Sequence, residues 1–351
     1  MNKFIFALCL LIALPSFAQE RFVVGYFNEW PLPAHYGRQT GAFDQALGLT
    51  VEWQAFSNSQ SLIDAVANGQ AQIGLSVGMT PLIAAAVQRK SVQIIDIAVS
   101  YPETENCVTR PRLNITSDNP AGLEDIKIAV PIGTSVHFNL INQVTALGID
   151  PNRLDLVNMS PREAAVAFVN NKVDGACAWG AALDMLKEQG ALLLQNDALH
   201  AAGVRVFDAI ISEDFYAQAN QDKIISFLSV INGINDDYAT YPDPILPYLP
   251  ALVNLSSDDT SSLLNLFTFL TLDEKLSTVW MAGGVQSYLN ELAEFYVSQA
   301  TINEVPASLD NLVDIRYLTA LQNALTTEAS PPQEQEDNPE SGQNDPEAFA
   351  E

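Results

Sequence analysis

The feature that most restricts this chain is a regular alternation of short apolar runs with helix-patterned segments. RFVVGYF (21–27), LTVEWQAF (49–56), AQIGLS (71–76) and SVQIIDIAVSYP (91–102) read as strands. Between them lie three helical segments. HYGRQTGAFDQALG stops at Gly48, SNSQSLIDAVANGQ has Ser59 or Ser61 as N-cap and Gly69 as terminator, and TPLIAAAVQRK has Thr80 as cap and Pro81 first in the helix. Such βαβ alternation predicts an α/β fold, a parallel sheet with helices on both faces. The polar, proline-bearing stretch NCVTRPRLNITSDNPAGLED breaks the rhythm and reads as a crossing to a second α/β unit. That unit has strands at KIAVP, DLVNM, GACAW, ALLLQ and VRVFDAII, and from about Phe215 to Leu325 the pattern is mostly helical. With 351 residues and 48% hydrophobic content, the chain can bury two ordinary cores.

The first residues set the compartment. MNKFIFALCLLIALPSFAQE has a basic start at Lys3, an apolar run to Leu14, and small residues at Ser16 and Ala18. This predicts a signal peptide cut after Ala18 and a periplasmic mature protein. The run is too short for a permanent membrane helix. Cys9 follows Leu8 rather than a small residue, so lipidation is not expected, and cleavage would leave Cys107 and Cys177. In an oxidising compartment the pair suggests a disulfide, with two buried free thiols as the other reading. His35, His137 and His200 show no ligand spacing, so no metal and no cofactor is expected.

The net charge of −26 argues against nucleic acid as a partner. Part of it lies in the last segment, from Thr326, which carries eight acidic residues and no basic one. Its composition predicts disorder.

Ligands of open α/β sheets bind at the carboxyl ends of strands, so the strand-to-helix turns hold the candidate residues. Glu29 and Trp30 follow the first strand, where a carboxylate beside an indole suits an ammonium. Gly78 and Thr80 in LSVGMTP, and Thr134 and Ser135 in PIGTSVH, sit at helix starts that favour an anion, although each is equally a plain N-cap. His137 is either a donor to that anion or a packed side chain. Trp179 ends a strand and could wall the cleft or fill the core. Asp208 interrupts the apolar strand RVFDAII, and must pair with a cationic ligand group, Arg205 or another base. Motifs of serine hydrolases, P-loops, zincins and dinucleotide folds are absent, so no enzyme is indicated.

These residues carry a resemblance. VVGYF with EWP, LIDAVANGQAQIGLSVGMTPLIAAA, IKIAVPIGTSVHFNL, NNKVDGACAW and VRVFDAIISEDF make the chain similar to the taurine-binding group of periplasmic proteins of ABC importers, from about Arg21 to Leu325. The resemblance implies a two-lobed, type II periplasmic-binding-protein fold with an interlobe cleft and a helical C-terminal part. Its expected divisions are a signal peptide (1–18), a first lobe (19–107), a second lobe (108–205), a return to the first lobe with C-terminal helices (206–325) and the acidic tail (326–351). It also implies a small zwitterionic solute, a membrane permease as partner, and a monomer. Carried over residue by residue, the acidic group of the solute falls to Thr80, Thr134, Ser135 and His137, and its amine to Glu29 and Asp208. The chain departs from the group at Gly180, where proline is common, and in its aromatic EWPLP turn. The aromatic–carboxylate combination of Glu29, Trp30 and Trp179 also suits a quaternary ammonium such as choline or betaine. A thiamine-pyrimidine-synthesis enzyme of similar fold is the rival from another class, and a periplasmic sensor of a signalling receptor is a third reading.

Overall fold

The computed structural model describes residues 21–27, 30–195 and 197–329. The expected signal peptide, Glu29 and the acidic tail beyond Ala329 lie outside them. The described chain forms two five-stranded sheets with helices packed on them. In chain order the strands are β1 (Phe22–Phe27), β2 (Val51–Phe56), β3 (Ile73–Gly78), β4 (Gln93–Ser100), β5 (Glu105–Thr109), β6 (Lys127–Val130), β7 (Asp155–Asn158), β8 (Gly175–Trp179), β9 (Ala191–Leu192) and β10 (Phe207–Ser212). The first sheet has the order β2-β1-β3-β10-β4 and the second β7-β6-β8-β5-β9.

Both sheets are mixed, not parallel throughout. β10 runs antiparallel to β3 and β4, and β5 runs antiparallel to β8 and β9. Each of these two strands enters its sheet from the other lobe. Neither closes a βαβ crossover, so neither is held to the parallel sense. No strand is expected in the stretch read as a crossing, yet β5 overlaps its start, from Glu105 to Thr109. The chain therefore passes between the sheets at Tyr101–Thr104 and returns before Phe207. The two passages meet where the Tyr101 N–H donates to the Val206 carbonyl at 2.8 Å.

Period-two alternation builds the second lobe. On β6, Ile128 and Val130 join one core and Ala129 the other. On β5, Cys107 and Val108 divide the same way, as do Cys177 and its neighbours Ala176 and Ala178 on β8. Cys107 and Cys177 are direct cross-strand partners with sulfurs 2.01 Å apart. The first lobe has one large core, in which buried Lys275 bonds Asp96 at 3.0 Å and Asn232 at 2.9 Å.

Four local expectations differ. HYGRQTGAFDQALG forms two helices, Ala34–Thr40 and Ala42–Leu47, because Gly41 at φ 74° ends the first. The cap of helix Ser59–Ala67 is Asn58, whose side chain accepts from the Ser61 N–H at 2.9 Å. Helix Met79–Val87 is capped at Gly78, so Thr80 lies in its first turn and not at the cap. The last helix runs Arg316–Ala329, past Thr326.

Candidate functional site

The carboxyl ends of β1, β2 and β3 in the first sheet and of β6 in the second lead into one cleft of about 530 Å³. From the first lobe, β1 contributes Phe27, the turn after β2 contributes Asn58 and Ser59, and the turn after β3 contributes Gly78, Met79 and Thr80. Tyr101 follows β4, and Asp208 lies near the start of antiparallel β10, opposite Gly78. The second lobe contributes Glu105 from β5 and Ser135 from the first turn of helix Ser135–Ala146. Three helices thus begin at the cleft, each with N–H groups that the helix itself does not use. Lys, Arg and His are absent from the described lining.

Asp208 is only 6% exposed. The Ser76 hydroxyl donates to its Oδ2 at 2.5 Å and the Tyr101 hydroxyl donates to its Oδ1. Burial pushes its pKa up, and these two donors partly oppose the rise. Arg205 does not pair with it; its Nε donates to the Val279 carbonyl at 3.1 Å. Ser76 holds φ 72°, a left-handed conformation rare outside glycine, in the stretch where the β3–β10 register shifts. This bulge coincides with the hydroxyl that meets Asp208, a site of local strain beside the cleft.

Across the cleft, the Glu105 Oε2 accepts from Asn139 Nδ2 at 3.2 Å, and Asn139 Oδ1 accepts from the Tyr288 hydroxyl at 3.1 Å. Burial raises the Glu105 pKa to about 6; a hydrogen bond from Ser135 opposes this, and the Asp208 charge adds to it. Thr80 Oγ1 and the Tyr296 hydroxyl are 2.8 Å apart. Helix Gly284–Ser298 therefore braces both cleft walls, through Tyr296 on the first lobe and Tyr288 on the second.

Of the residues singled out in the sequence, Trp30, Gly78, Thr80, Ser135 and Asp208 line one cavity. Trp30 packs edge-on to Tyr101 and against Phe267, and its Nε1 is buried without a hydrogen-bond partner. Three others do not line it. The Thr134 hydroxyl turns back to the Pro131 carbonyl at 2.6 Å. His137 Nδ1 accepts the Gly133 N–H at 3.2 Å and its ring packs on Phe295, while burial lowers its pKa. That bond locks the turn in which Gly133 takes φ 81°, a conformation suited to glycine. Trp179 is 40% exposed, at the end of β8. Sequence reasoning missed Asn58, Ser59, Tyr101 and Glu105. The SNSQ run carried a usable signal for the first two, the same polar turn after a strand as GMTP. Tyr101 and Glu105 carried none, because the lobe-to-lobe passage has no local pattern.

Known proteins share this architecture. The taurine-binding periplasmic protein of Escherichia coli (strain K12) is 25% identical over 292 residues, covering 82% of this chain and 89% of that one. The crystal structure of the periplasmic aliphatic sulphonate binding protein SsuA from Escherichia coli superposes with a TM-score of 0.59 at 15% identity, over 84% of this chain and 97% of that one. The periplasmic sulfonate-binding protein SsuA of Methylobacillus flagellatus KT gives 0.64 at 13% identity, over 90% and 98%. All three are named as binding proteins, and the fold is that of periplasmic binding proteins. A family model described as NMT1/THI5 like matches residues 33–244, and on the breadth of that match the chain belongs to the NMT1/THI5-like family.

Proposed function

We propose that this chain is the periplasmic solute-binding component of an ABC importer. It takes taurine or a closely related short amino-sulfonate in the interlobe cleft and delivers it, as a monomer, to a membrane permease. One observation carries the reading. The cleft joins three helix N-termini bearing Ser59, Thr80 and Ser135 to the buried carboxylate of Asp208. The helix starts suit a sulfonate, through N–H groups and dipole. The carboxylate suits an ammonium. A ligand with both charges satisfies both ends at once. A relative that is 25% identical over 82% of this chain is named for taurine, which agrees with this chemistry.

A second reading rests on the aromatic wall. Phe27, Trp30 and Tyr101 line the same cavity, which suits a quaternary ammonium through cation–π contact. Titration calorimetry on unfolded and refolded, ligand-free mature protein separates the two. Heat with taurine and none with choline supports the first reading. The reverse result replaces it with the second. The enzyme alternative wants His and Cys facing the solute. Cys107 and Cys177 are instead bonded to each other, and His137 is packed on Phe295.

A further inference from the structure

We infer that Glu105 is a second carboxylate of the ammonium subsite, contributed by the second lobe, and that it makes the cleft prefer primary amines. This rests on the amino-sulfonate reading and names the part of the site that selects within it.

Glu105 and Asp208 line one cavity from different sheets. Asp208 is buried, and its hydrogen-bond donors, Ser76 and Tyr101, are neutral hydroxyls. The donors to Glu105 are neutral as well, the Asn139 amide and the Ser135 hydroxyl. Asn139 is fully buried and is fixed by Tyr288, so the Glu105 seat is built rather than incidental. The titratable groups acting on Glu105 or sensing its charge are Asp208 on β10, Tyr101 in the lobe-to-lobe passage, and Tyr288 and Tyr296 on helix Gly284–Ser298. All are acids. The ligand-free cleft thus holds two carboxylates, the Asp208 charge adding to the cost of ionising Glu105, and the described lining has no base to relieve them. A carboxylate has about four acceptor sites, so each has room for a further donor. A primary ammonium brings three N–H donors and can serve both carboxylates. A quaternary ammonium brings none, and a simple sulfonate brings a further negative charge. Closing the lobes on a primary amine therefore converts a repulsion between lobes into two attractions.

The experiment uses the full mature chain, unmodified and as Glu105→Gln, stripped of ligand and refolded. Calorimetry with taurine, ethanesulfonate and choline at pH 5 and pH 8 is paired with thermal melts of the ligand-free proteins. The expected result at pH 8 is a loss of at least about tenfold in taurine affinity in Glu105→Gln, a hydrogen bond to a charge being at stake. Ethanesulfonate binding holds or improves. Taurine binding to the unmodified protein weakens from pH 8 to pH 5, and the variant loses most of that dependence. Unchanged taurine affinity in the variant overturns the inference. A preference of the unmodified protein for ethanesulfonate also overturns it, while leaving the sulfonate half of the proposed function standing. If none of the three solutes binds, the amino-sulfonate reading fails, and the melts still decide on Glu105. Ligand-free Glu105→Gln melting higher than the unmodified protein at pH 8, with the gain gone at pH 5, supports the paired carboxylates. Equal melts at both pH values overturn them.

Discussion

Ser76 and Asp208 stand 132 residues apart in the chain and are joined by a hydrogen bond of 2.5 Å across the first sheet. The bond fixes the carboxylate where β10 re-enters from the second lobe, beside the turn that starts helix Met79–Val87. In the proposed site the ammonium end is thus positioned by a contact between the early and late parts of one lobe. Asp208→Asn is expected to weaken taurine by roughly 10- to 100-fold, the scale of a hydrogen bond to a charged group. Ethanesulfonate should be spared. Calorimetry on the two solutes reads the difference.

In the proposed site the sulfonate end rests on the helix starts that carry Thr80 and Ser135, one from each lobe, with the Ser135 hydroxyl also donating to Glu105. Thr80→Ala and Ser135→Ala should each weaken taurine by about 3- to 10-fold, the worth of one neutral hydrogen bond and its geometry. Thr80→Ala also frees the Tyr296 hydroxyl, so a small drop in melting temperature should accompany it. Wild-type affinity in both variants would reduce these hydroxyls to helix-start residues.

The pair Asp96–Lys275 is a matter of stability and not of binding. Lys275 is fully buried, and its ammonium is shared by Asp96 and Asn232. Lys275→Met leaves Asp96 buried with only neutral donors and should cost about 3–5 kcal/mol. Adding Asp96→Leu should recover part of that loss, because a buried ion pair is worth little more than an apolar pair of similar volume. Urea titration of the single and double variants tests the pairing, and an additive double variant would deny it.

The Cys107–Cys177 pair closes a loop of 70 residues between β5 and β8. On the loop-entropy scale its reduction should cost about 4 kcal/mol. The loss should be read in the second lobe, which both strands help build. Melts with and without reductant give the value, and a melt insensitive to reductant would show that the bridge contributes nothing.

His35 and Glu105 bend the pH profile in opposite directions. His35 is 1% exposed, and burial with the nearby Arg38 charge lowers its pKa from 6.5 to about 4, against a hydrogen bond to the Trp30 carbonyl. The unfolded chain then takes up a proton that the folded chain refuses. Stability due to neutral His35 is present above pH 6.5 and is lost as pH falls towards 4, by about 3 kcal/mol in all. Glu105 is raised from 4.5 to about 6, so its share is present below 4.5 and is lost as pH rises through 6. His35→Gln should flatten the acid limb of the ligand-free stability profile, and Glu105→Gln the neutral limb. Denaturant titrations between pH 4 and 8 show whether the limbs separate this way.

How far the sequence discloses this molecule depends on how local each cause is. Strand and helix order is legible because apolar runs and caps act within a few residues, as in AQIGLS followed by GMTP. Strand sense is less so: β10 and β5 look like any other strand, and their antiparallel placement follows from where the chain re-enters each sheet. Trp30, Thr80, Ser135 and Asp208 stand out as polar or aromatic residues where strands give way to turns. Thr134 and His137 share that position, but a hydroxyl bond to Pro131 and a ring contact with Phe295 draw them away. Glu105 is the instructive omission. One acidic residue in a chain with 42 carries no local mark. Its role appears only when β5 is seen facing β10 across the cleft.

The most direct test of the central claim is a crystal structure of the mature protein grown with taurine. The account predicts one taurine in the interlobe cleft, with sulfonate oxygens within about 3 Å of backbone N–H groups at the starts of helices Met79–Val87 and Ser135–Ala146 and with the amine on Asp208. Taurine bound elsewhere, or seated with its amine towards the helix starts, would contradict it.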